Sequence, residues 1–188
     1  MANINIIKKA ALYFHFITVF LSCKTDQHLF QNENKGINSN FSGSYFWNAS
    51  KIDSNVKNNK YTISSSTTLF NLTGIQSKNI SGNVQLQFRD NRTLEITYTD
   101  SLIEKKKLLT GKFKKAGYFQ CFIKKKVIQI PPLISFIYGR RLIDRLRFGV
   151  TQSGQLLIQN KYVSEGSIFI FGSGVNYKLL YYFNPVAN

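Results

Sequence analysis

Two histidines, His15 and His28, leave few ways to build a catalytic centre in this chain of 188 residues. A Ser-His-Asp relay needs an imidazole beside its hydroxyl, and no histidine follows residue 28. The acids Asp90, Asp100, Glu104, Asp144 and Glu165 show no pairing in sequence, so a carboxylate dyad would have to be assembled by the fold. Gly172-Ser173-Gly174 reads as a loop and lacks the strand-turn-helix setting of a nucleophile elbow. Cys121, in the alternating stretch Phe119-Gln120-Cys121-Phe122-Ile123, reads as a small buried hydrophobe. Histidines and cysteines are too few for a zinc site. The sequence therefore predicts a protein that is not an enzyme and takes no cofactor and no metal.

Binding chemistry is better represented. The formal charge is +16, and nine lysines (105, 106, 107, 112, 114, 115, 124, 125 and 126) fall within 22 residues. Four of the six arginines lie between Arg140 and Arg147. Lys105, Lys106, Lys107, Lys124, Lys125, Lys126, Arg140 and Arg141 form a candidate patch for an anionic surface such as lipid headgroups or lipopolysaccharide, where each cation contributes roughly 1 kcal/mol. The same lysines equally serve solubility and protect strand edges from pairing. Nucleic acid is not an expected partner, because no RNP-type or helix-turn-helix pattern is present. Trp47, Phe169, Tyr177 and Tyr181 are candidates to line a pocket for a small hydrophobic ligand, since rings with a polar tip suit an apolar cavity.

The elements that must position these groups begin after an export signal. Met1 to Lys9 carries Lys8 and Lys9 and no acid, and Ala10 to Leu21 is apolar except for His15 and Thr18. Twelve residues span only about 18 Å as a helix, short of a bilayer core, so the run reads as the h-region of a secretory signal. Phe20-Leu21-Ser22-Cys23 then resembles a bacterial lipobox, which implies cleavage before Cys23 and acylation of its thiol. An uncleaved anchor and an ordinary secretory cleavage are the other readings. Residues 1–22 are thus expected as signal peptide, 23–41 as lipidated N-terminus and disordered tether, and 42–188 as one β-domain. Lys24 to Asn40 is polar, rich in Asn and Gln, and without helical or strand period.

Within the domain, Val84, Leu86 and Phe88 alternate with polar residues, as do Leu94, Ile96 and Tyr98. This is the period of strands with one buried face. For both apolar rows to share a face, the hairpin loop between them must hold an odd number of residues. Arg89-Asp90-Asn91, with Asn91 left-handed, is the expected solution. Further strands are expected at 44–48, 61–65, 67–72, 102–107, 109–114, 118–130, 143–151, 155–162, 167–171 and 177–184, some of them halves of one. The fold class is all-β, an antiparallel up-and-down barrel or sandwich of about 8–10 strands. Ser167 to Phe171 and Leu179 to Phe183 are apolar on both faces and need a second cover; the segment from Leu133 to Tyr138 is a candidate lid.

The basic start, the h-region ending in Ser22-Cys23, the Asn/Lys-rich tether and a β-domain of this size resemble the small lipoproteins common in Bacteroidetes. That resemblance implies a lipid-anchored protein of the cell envelope, attached to the outer membrane through its N-terminal lipid. Gly43-Ser44-Tyr45-Phe46-Trp47 is similar to the opening strand of lipocalin-like barrels, with Trp47 four residues after Gly43 rather than two. It implies a binding module for a hydrophobic or amphiphilic ligand. The alternative is a structural or interaction protein that uses its basic face on anionic envelope lipids or polymers.

Overall fold

Alternation of apolar and polar residues does produce strands over most of the chain. The computed structural model describes residues 28–56, 59–62, 66–77, 79–130, 138–168 and 171–186. In chain order the elements are α1 (His28–Glu33), β1 (Ser42–Tyr45), β2 (Lys51–Val56), β3 (Asn59–Thr62), α2 (Leu69–Thr73), β4 (Ile80–Phe88), β5 (Thr93–Asp100), β6 (Ile103–Lys114), β7 (Tyr118–Ile130), β8 (Tyr138–Val150), β9 (Leu156–Ile168) and β10 (Phe171–Phe183). The fold is all-β and antiparallel, one sheet in the order β1-β4-β5-β6-β7-β8-β9-β10-β2-β3.

The strands follow the expected antiparallel up-and-down order, and the sheet is not closed into a barrel. The free side of β10 is taken by β2, so β1, at the far end of the ladder, has no strand to close against. It is instead stitched to the chain just beyond β10, where Phe46 N donates to Asn184 O at 3.0 Å and Val186 N to Ser44 O at 3.0 Å. The face inside this curl carries one core. Phe119 lies at its centre, with ring centroids at 4.9 Å from Phe88, 5.4 Å from Phe113 and 6.4 Å from Phe148. Gly111 makes room for it: a Cβ there would sit 2.6 Å from the Phe119 ring and would also strike the carbonyl of Gln120.

Two local elements depart from the sequence expectation. The strand expected at 67–72 is the helix α2, because Thr68 caps it by accepting from Asn71 N at 3.1 Å and Gly74 closes it at φ 70°. Its Leu69, Phe70 and Leu72 enter the core from one end of the sheet. The tether expected over 23–41 differs too. Helix α1 falls inside it, and chain contacts divide the protein after Asn32. From there Lys35 N donates to Val150 O at 2.7 Å, Ile37 N to Gly117 O at 2.9 Å, and the Asn34 amide to Gly117 O at 3.0 Å.

The β4–β5 loop is odd, as parity requires, but sits one residue later than expected. Phe88 pairs with Leu94, and Arg89 N donates to Thr93 O. Asn91 is not left-handed. Asp90 shapes the turn instead, accepting from Arg92 N at 2.6 Å and from the Thr93 hydroxyl at 3.2 Å.

The β5–β6 turn is the strained one. Ser101 (φ 52°) and Leu102 (φ 68°) are both left-handed, the geometry of a two-residue hairpin that Asn-Gly fits without cost. Leu102 is 91% exposed and gains nothing in return. Ser101→Asn with Leu102→Gly is expected to stabilise the fold by about 1 kcal/mol, read as a higher urea midpoint at unchanged slope. An unchanged or lower midpoint would show that the turn is not strained.

Candidate functional site

Strands β7 to β10 each span 13 residues, and they outrun the core. Beyond it, the inner face of these four strands continues as an open shelf. A one-residue β-bulge decides what stands on that shelf. Up to the bulge, Phe119 pairs with Phe148 and Cys121 with Leu146; after it, Lys124 pairs with Asp144, Lys126 with Leu142 and Ile128 with Arg140. The even residues of β8 all share the core face, so the extra residue turns Lys124, Lys126 and Ile128 onto the same face as Phe119 and Cys121.

Two rows make the floor of the shelf. The first runs Lys124, Asp144, Tyr162, Tyr177; the second runs Lys126, Leu142, Ser164, Val175. Tyr162 and Tyr177 stack with centroids 5.2 Å apart and planes at 19°. Asn160 donates to Asp144 Oδ1 at 2.7 Å. Burial holds the Asp144 carboxyl above its ordinary value, against the opposing pull of that hydrogen bond and of the Lys124 charge. Burial, followed by the Asp144 and Tyr162 charges, also raises the Tyr177 phenol. Further out, Tyr138, Arg140, Ser164, Ile168, Phe171 and Ser173 border a concavity of about 480 Å³. On the opposite face of the same strands, Gly139, Gly172 and Gly174 leave a second trough of about 580 Å³, beside Arg141 and Glu165. Both volumes lie in the range of sites for small amphiphiles.

The shelf offers a flat phenol wall and aliphatic side chains beside three exposed cations, Lys124, Lys126 and Arg140. Such a surface suits a molecule with an apolar body and an acidic head. It offers no metal cluster: among the described residues, no three His, Cys, Asp or Glu side chains converge. Cys121 is buried, and desolvation pushes its thiol up to about 12, so it stays protonated and inert at neutral pH.

The residues singled out from sequence are dispersed. Of the basic patch, Lys105 is bound to Asp100 at 2.7 Å and Lys106 to Glu95 at 2.9 Å. Lys107 is half-buried beside them. Strands β6 and β7 pair only between Gly111–Lys114 and Tyr118–Cys121, so Lys105 to Lys107 and Lys124 to Lys126 stand on stretches that are not laddered to each other. Lys124, Lys125, Lys126, Arg140 and Arg141, by contrast, are all exposed and share one ladder. Of the pocket candidates, Trp47 packs on Phe70 at 6.0 Å and Tyr181 is part of the core, its phenol pushed up to about 12 by burial. Only Tyr177 stands on the shelf. Phe169 lies outside the described residues, as does the lid segment apart from Tyr138.

The expected second cover exists for the segment from Leu179 to Phe183. On the outer face of β10, Leu180 and Tyr182 are buried, and the Tyr182 hydroxyl donates to Glu33 and, at 3.2 Å, to Asp53. In the stretch expected from Ser167 to Phe171, Ile168 and Phe171 are exposed, and 169–170 lie outside the described residues. Sequence reasoning met Asp144 only as an unpaired acid and passed over Tyr162. Their alternation with Asn160 and Ser164 is legible, but which face they share with Lys124 depends on the bulge. Among the described residues, no helix is long and apolar enough to cross a membrane. No family model matches the chain, and neither a curated protein nor a solved structure does.

Proposed function

We propose that this chain is a non-enzymatic envelope lipoprotein, anchored to the outer membrane through an acylated Cys23, whose β-domain binds an anionic amphiphile on the inner shelf of β7 to β10. The observation that carries the binding reading is the row Lys124, Asp144, Tyr162, Tyr177, where a stacked phenol pair, a half-buried carboxyl and a cation share one open face. The anchoring reading rests on Lys8, Lys9, the apolar run to Leu21 and the Ser22-Cys23 junction. Mass spectrometry of the mature protein tests it: an intact Met1 or an unmodified Cys23 defeats it.

The shelf is tested by titration with a fluorescent alkyl sulfonate, which stays ionised throughout the pH range. Saturable binding is expected, weakened about tenfold by Tyr177→Ala, the loss of roughly 1.4 kcal/mol of ring contact. Asp144 sets the pH dependence. Its folded value is raised, so as pH falls through that value the carboxyl becomes neutral, repulsion of the anionic head disappears, and affinity rises. Asp144→Asn removes this rise and binds at neutral pH as the parent does in acid. Non-saturable binding, or affinity indifferent to both substitutions, sinks the reading.

A further inference from the structure

The outer ends of the long strands carry apolar side chains in front of a basic collar. Ile168 and Phe171 face each other across the β9–β10 ladder and are 58% and 79% exposed. Arg140 pairs with Gly166, and Lys126 lies in the row of Ser164, so these cations stand two and four residues behind Ile168. At about 3.3 Å per residue that is roughly 7 and 13 Å. Arg141 and Lys125 occupy the other face at similar depth. The only acid among the described residues of these ends is Glu165, and it stands opposite Arg141.

Solubility would be served by cations anywhere, and it gives no reason for large apolar groups to lead them. A second copy of the same end is disfavoured by like charge. An anionic bilayer fits both features, because apolar side chains enter about 5–10 Å into the boundary between headgroups and acyl chains while cations behind them reach the phosphates. We propose that this end of β7 to β10 docks on an anionic lipid bilayer, with Ile168 and Phe171 inserted and Arg140, Arg141, Lys125 and Lys126 at headgroup level. The docking does not rest on the shelf reading: a chain whose shelf held nothing would still dock.

The test uses the full chain with Trp47→Phe and Phe171→Trp, so that the one indole reports from the strand end. An unchanged urea midpoint between the Trp47→Phe chain and the double variant confirms that the exposed substitution leaves the fold alone. On vesicles containing phosphatidylglycerol, the indole emission is expected to shift to the blue and to be quenched by brominated acyl chains. Vesicles of phosphatidylcholine alone should leave it unchanged. Adding Arg140→Gln and Arg141→Gln should weaken the response by roughly fivefold per charge. If the chain sediments with vesicles while its indole stays unshifted and unquenched, the membrane is held elsewhere and the proposal fails. It also fails if the shift follows protein concentration without lipid, which would make a second copy the occupant.

Discussion

Phe119→Ala lowers the stability of the domain by about 3–5 kcal/mol, the cost of deleting a fully buried ring from a packed cluster. The size follows from its neighbours. Phe88, Phe113 and Phe148 come from β4, β6 and β8, so the cavity would open among three strands already fixed by their ladders and could not collapse easily. The urea midpoint measures the loss; a fall of less than about 1 kcal/mol would mean that the cluster is loosely packed. Gly111→Ala gives an independent check. Its methyl group would meet the Phe119 ring at 2.6 Å, so it too destabilises, and in the Phe119→Ala background its penalty shrinks. It does not vanish, since the Gln120 carbonyl still stands in the way.

The second large effect is expected from Arg147, a buried cation held by two amides. Its Nη1 donates to Gln159 Oε1 at 3.0 Å and its Nε to Gln120 Oε1 at 3.3 Å, and its guanidinium lies over the Tyr118 ring at 5.0 Å. Desolvation pulls its pKa below the ordinary value, the sign of a charge that the fold carries at a cost. Arg147→Met should lose about 3 kcal/mol, because two buried amide oxygens are left without donors. Replacing all three residues, with Gln120→Leu and Gln159→Leu added, should recover most of that loss. A triple variant as unstable as the single one would show that the guanidinium contributes by itself rather than by satisfying the amides.

How much of this was legible in the sequence differs from strand to strand, for physical reasons. The strand with one wet face, β4, was plain, since alternation there reports burial directly, and β5 alternates in sequence although its Glu95 is buried between Leu94 and Ile96. Their loop parity was equally plain, but its centre was not, because Asp90 rather than a left-handed Asn91 sets the turn. Residues 67–72 looked like a strand because four apolar or β-branched residues outweigh the Thr68 cap and the Gly74 stop. The strand β2, Lys51-Ile52-Asp53-Ser54-Asn55-Val56, was missed: Asp53 and Ser54 are both buried, and buried polar residues break the apolar pattern. The candidate site was the least legible part. Lys124 to Lys126 read as a uniform charge run, and nothing in composition says that two of the three turn toward the core side.

That turn has a consequence for how the shelf's charge is specified. The bulge beside Ile123 works as a shift of frame in the side chains. Pairing the same residues without the bulge would leave the composition of the outer half of β7 intact and exchange its two surfaces, taking Lys124 and Lys126 away from the shelf and putting Lys125 and Val127 in their place. The charge of that surface is therefore a property of the register shift between Phe122 and Lys124 more than of how many lysines follow it.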